Sequence, residues 1–117
     1  MEINLFYAAH RHKMWLLYLK AYLLDIQEIS EAFVNETCYF EYWLNNYGLK
    51  AYSHLHELQE AEQAHNNFHN TVKNILRLKT ENLINEAWEE IKILEKRLSV
   101  VSNSFSMLEL RIIQDEN

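Results

Sequence analysis

Apolar positions recur at steps of four and three over four long stretches of the chain, a spacing that lines them up on one face of a helix. The first stretch, about residues 3 to 29, places Leu5, Ala9, His12, Leu16, Leu19, Leu23 and Ile26 on one stripe. The second, about 31 to 46, follows Ser30 as its cap and carries Phe33, Val34, Cys38, Phe40, Trp43 and Leu44. It is expected to stop at Asn45-Asn46-Tyr47-Gly48, where the only glycine suits a left-handed helix end. The third, about 50 to 79, aligns Leu55, Leu58, Glu62, His65, His69, Val72, Leu76 and Lys79. Thr80 then caps a fourth, about 81 to 113, with Ala87, Ile91, Leu94, Leu98, Val101, Phe105, Leu108 and Ile112 in register. The serine-rich and β-branched stretch from Ser99 to Ser106 is expected to fray or break that last helix.

Four amphipathic segments with short connections predict an all-α fold, an antiparallel four-helix bundle forming a single domain over residues 1–117. Composition sharpens this reading. One glycine and no proline in 117 residues leave little material for the turns of an all-β fold. The net charge of −6 argues against a nucleic-acid partner, which calls for a basic patch. No basic run suggests a membrane anchor, no apolar stretch reaches the roughly 18 residues of a membrane span, and Met1 to His12 lack a signal-peptide core. A single cysteine builds no disulfide framework and suits a reducing, cytoplasmic setting.

The third stripe turns polar at Glu62, His65 and His69, and polar groups carried into a core need partners. His65 and His69, four residues apart on a helix, stack on one face. Two further donors stand in earlier segments, His12 on the first stripe and Cys38 in the second. Three imidazoles and one thiolate supply the four ligands that zinc takes in a tetrahedron. One helix cannot surround an ion, so such a site would tie three helices together. The cofactor expected is Zn2+, held by His12, Cys38, His65 and His69. Four protein ligands leave no open position for water, and no phosphate loop or nucleophile elbow is present, so an enzyme is not expected.

The ordered pattern His12-Lys13-Met14-Trp15, 22 residues, Cys38-Tyr39-Phe40-Glu41-Tyr42-Trp43, 21 residues, His65-Asn66-Asn67-Phe68-His69 resembles the chemoreceptor zinc-binding domain of bacterial cytosolic signalling proteins. The match covers residues 12–69, with a helical extension over 81–113. Glu41 occupies the position at which that family carries glycine. The resemblance implies a sensor of zinc or oxidant, acting in chemotaxis or cyclic-di-GMP signalling, often as a homodimer. With no output domain in this sequence, it would work through a partner protein on its helical surface. It also implies that Trp15, Phe40, Trp43 and Phe68 wall the metal from water. Glu41 and Glu62 are candidate hydrogen-bond acceptors that would orient ligating imidazoles. His10, His54 and His56 are read as surface residues.

Two other classes share part of the pattern. A purely structural zinc bundle would hold a partner through the stripe of residues 87–112 and keep Cys38 inert. A hemerythrin-like bundle binding iron and oxygen would need bridging carboxylates and a late histidine, and none follows His69.

Overall fold

The computed structural model describes residues 3–29 and 38–116, and every regular element among them is helical. In chain order these are α1 (Leu5–Leu23), α2 (Tyr39–Trp43), a π-helical turn (Leu44–Gly48), α3 (Leu49–Tyr52), α4 (His56–Thr80) and α5 (Ile84–Glu116). No helix among the described residues is long and apolar enough to cross a membrane.

α1 starts at Asn4, whose side-chain oxygen accepts from the Tyr7 N–H at 2.8 Å, satisfying one of the amides orphaned at a helix start. It stops at Leu23, six residues before the boundary the periodicity predicts. Asp25 has φ 58°, a left-handed conformation that aspartate tolerates better than most residues, and its carboxylate meets Lys79 of α4. Ile26, expected on the inward stripe, therefore falls beyond the helix and is 74% exposed. The predicted cap Ser30 and the core positions Phe33 and Val34 lie outside the described residues.

Gly48 corrects a second expectation. Its φ is −60°, so it ends no helix in the left-handed region; it closes the π turn, and helix continues to Tyr52. A Cβ at Gly48 would sit 2.6 Å from the nearest ring carbon of Trp43. Glycine is required here for close approach rather than for backbone freedom. Trp43 itself cannot yield easily, being 1% exposed and stacked on Tyr52 with ring centroids 6.1 Å apart. Gly48→Ala is expected to destabilise the fold by about 1–3 kcal/mol through overpacking, although alanine at a helical φ would otherwise gain about 1 kcal/mol. Urea unfolding decides which term wins, and a more stable variant would mean that the Trp43 ring gives way.

α4 buries Leu58, Ala61, His65, Phe68, Val72 and Ile75, while Glu62, His69 and Leu76 are only half-buried. The inward face is thus rotated from the predicted stripe, which had placed Glu62 and His69 at its centre. The small side chains Ala61 and Ala64 are buried on the rotated face, where their size permits close packing of a neighbouring helix. α5 follows after the three residues 81–83, with Asn82 left-handed at φ 63°. Thr80 does not cap it; its hydroxyl bonds back to the Leu76 carbonyl inside α4.

At 33 residues α5 is about 50 Å long, as long as the molecule's greatest extent of 51 Å. It runs unbroken through 99–106. Ser106 returns its hydroxyl to the Ser102 carbonyl, and Val101 and Phe105 are buried in the same stretch. Packing on α4 and α1 outweighs the weak local propensity of those residues. Tyr52, Glu57 and Thr71 meet Glu116, Arg111 and Arg97 in that order along α5.

Candidate metal centre

His12 projects from the middle of α1, Cys38 is the residue that opens α2, and His65 and His69 stand one turn apart on α4. Their donor atoms converge, all within 4.8 Å of one another. Cys38 Sγ lies 3.1 Å from His65 Nε2 and 3.4 Å from His12 Nε2, and His12 Nε2 lies 3.3 Å from His69 Nε2. His12 and His65 are almost wholly buried, at 1% and 3% exposure; Cys38 is at 9%, and His69 is half-buried.

These separations can be set against the edges of a coordination tetrahedron. With metal–nitrogen bonds of about 2.05 Å and a metal–sulfur bond of about 2.3 Å, the edges are about 3.3 Å between nitrogens and about 3.6 Å between nitrogen and sulfur. The three shortest separations, at 3.1, 3.3 and 3.4 Å, match these edges to within about half an ångström, and every other pair of donors lies within 4.8 Å. His12 is also oriented for ligation, because its Nδ1–H donates to the Ala8 carbonyl at 2.7 Å. That bond selects the tautomer with a bare Nε2 lone pair, the arrangement that metal-ligating histidines share. The lone pair faces another imidazole nitrogen at 3.3 Å, a contact that needs a proton or a cation between the two.

Burial sets the charge states. His65 is pushed down to about 2 by desolvation, then by His69 and His12. His69 falls to about 4 by desolvation, then by His12 and Lys73. Desolvation also lowers His12, Arg11 adding to it and the Ala8 carbonyl opposing it. At neutral pH all three rings are therefore uncharged and offer lone pairs. Burial raises the Cys38 thiol; the backbone amides of Glu41 and Phe40 lean the other way, and the Glu41 carboxylate reinforces the rise. A cation among the donors would reverse that balance and hold the sulfur as thiolate.

Aromatic rings close the site. Phe40 lies 5.0 Å from His65, Phe68 meets His12 edge-on at 5.1 Å, and Trp15 meets His69 at 5.4 Å between centroids. Trp43 stands one layer further out, 6.0 Å from Phe40. Sequence reasoning placed Phe105 in the core without assigning it to the site. It stacks on Phe40 at 4.4 Å and meets His12 at 5.7 Å, so α5 walls a site to which it supplies no donor. Its place on the stripe was visible, but which helix it faces depends on how the helices pack. Glu41 is exposed and Glu62 half-buried, and among the described residues neither hydrogen-bonds a cluster imidazole. His54 and His56 pair with Asp115 and Glu60 at the surface, and His10 is exposed.

The fold and the site define an all-helical chain whose interior gathers three histidines and a cysteine in an arrangement that fits a metal ion. Comparison with family models, with curated proteins and with solved structures gives no match.

Proposed function

We propose that this chain is a zinc-binding regulatory domain of the chemoreceptor zinc-binding type, an antiparallel four-helix bundle tied together by one ion. The carrying observation is the 3.3 Å approach of two imidazole nitrogens, one with its tautomer set by the Ala8 carbonyl, beside a thiol at 3.1–3.4 Å. Three nitrogens and one sulfur gathered within 4.8 Å suit zinc, which accepts both donor types without geometric preference of its own. The order in which α4 residues meet α5 residues supports the antiparallel arrangement. Four protein donors leave no place for a reacting water, so the ion organises structure and the domain is not an enzyme. Among the described residues no carboxylate joins the cluster, which disfavours an iron–oxygen carrier.

In this reading the signal is zinc itself or an oxidant that removes the thiolate. With hypochlorous acid the sulfur lone pair takes the oxygen, chloride leaves, and a sulfenic acid remains, oxidised by two electrons. The ion would then lose one of four ligands and with it the link between α1, α2 and α4. The loosened bundle would signal to a partner protein or a second copy, in the cytoplasm, without nucleic acid or membrane.

Mass spectrometry of the purified protein tests this. One zinc per chain is expected in the wild type, with loss in Cys38→Ala and His65→Ala, and zinc release on addition of hypochlorous acid. Zinc retained by both variants sinks the site; zinc bound but indifferent to the oxidant leaves the purely structural bundle.

A further inference from the structure

Arg97 stands on α5, yet its hydrogen bonds go to α4. Its Nη1 donates to the Asn67 carbonyl at 2.9 Å and to the Thr71 hydroxyl oxygen at 2.8 Å. The Thr71 hydroxyl donates in turn to the same Asn67 carbonyl at 3.0 Å. A surface arginine ordinarily meets a carboxylate. This one is half-buried and directs its charge to two neutral oxygens, one of them on a threonine only 3% exposed. Asn67 lies midway between His65 and His69, so the three groups grip the turn of α4 that carries both imidazoles.

We propose that Arg97 is a positioning residue for the metal centre: it sets the rotation of α4 about its axis and so aims His65 and His69 at the ion. The inference rests on the zinc reading above. An imidazole Nε2 stands about 6–7 Å from the helix axis, so a roll of about 10° carries it about 1 Å sideways, whereas metal–ligand distances tolerate about 0.2 Å. The buried residues on this stretch of α4 include Ala61, Ala64 and Phe68, and apolar contact has no direction with which to resist a roll. The hydrogen bonds of Arg97 do. By reciprocity, an ion that holds the two imidazoles tightens the grip of α5 on α4, which makes the long helix a reporter of metal loading although it carries no ligand.

The test titrates folded wild type, Arg97→Met, Arg97→Lys and Thr71→Val with cobalt(II), reading its visible ligand-field bands, and then displaces cobalt with zinc. Loss of such an outer contact is expected to weaken metal binding about 10- to 100-fold in Arg97→Met, with shifted cobalt bands. Arg97→Lys should recover part of the affinity, and Thr71→Val should move both readouts in the same direction by less. A merely structural arginine would lower metal-free stability and leave the bands in place. Unchanged affinity and bands in Arg97→Met overturn the proposal; if that variant does not fold, unchanged values in Thr71→Val do so. A wild type that takes up neither metal sinks the zinc reading itself, a result distinct from metal bound equally well by every variant.

Discussion

Removing zinc with a chelator is expected to lower the melting temperature by roughly 15 °C at neutral pH, the largest change any single treatment should produce. The candidate ligands come from three separate elements, and only the folded chain brings their donor atoms within 4.8 Å, so an ion held there would bind the native state and hardly the unfolded one. Free zinc at about a thousand times its dissociation constant then adds about 4 kcal/mol. For a domain of this size each kcal/mol moves the midpoint by about 4 °C. The metal-free protein keeps its aromatic core and is left with only the weaker hydrogen bonds among the same uncharged groups. Thermal melts followed by circular dichroism, with zinc and with chelator, check this. Cys38→Ala should melt at the chelated temperature whether or not zinc is present. Superimposable wild-type curves would remove the ion from the stability of the fold.

The metal-free protein is expected to lose stability steeply as pH falls below about 6.5, the second large effect. His65 and His69 have folded values of about 2 and about 4, against about 6.5 in the unfolded chain. The unfolded state therefore binds more protons throughout this window, and stability declines as pH falls. The stabilising difference is fully present above 6.5. It diminishes through His69 down to about 4 and through His65 further still. Each group contributes up to about 1.4 kcal/mol per pH unit, so the two together remove about 7 kcal/mol by pH 4, enough to exhaust the lower end of the roughly 5–15 kcal/mol typical of a domain. Urea unfolding at pH 7.5, 6 and 5 in the presence of chelator measures the slope, and His65→Leu should remove about half of it. A flat profile would mean that the imidazoles are solvated in the folded state. With zinc present the decline should begin at lower pH, because the ion competes with protons for the same lone pairs.

Half of the donor set was legible from helical spacing alone, and His12 and Cys38 joined it through the ordered pattern that resembles a known zinc-binding family. His65 and His69 had to share a helical face, and a stripe that turns polar inside a core asks for something to satisfy it. The three long helices α1, α4 and α5 were legible for the same reason, apolar residues recurring at the helical period, while most of the second predicted stretch lies outside the described residues. Helix ends were not. α1 stops where Asp25 turns left-handed toward Lys79, a contact between residues 54 apart in sequence. Gly48 carries a strong stop signal by type, yet it serves the Trp43 ring, whose position is known only once the π turn is formed. Ser99 to Ser106 looks weak locally and is held straight by burial of Val101 and Phe105.

By itself, then, the sequence determined the three long helices and the types of donor the chain carries, since periodicity and side-chain chemistry are properties of a single stretch of chain. Only the tertiary structure decided the roll of α4, which moved Ala61 and Phe68 inward and left Glu62 and His69 on the flank. It alone brought Phe105 against His12 and Arg97 onto Asn67. Those choices follow from close packing between helices, where small residues set the distance of approach and a few directional hydrogen bonds set the angle. Neither is encoded in the pattern of any one helix.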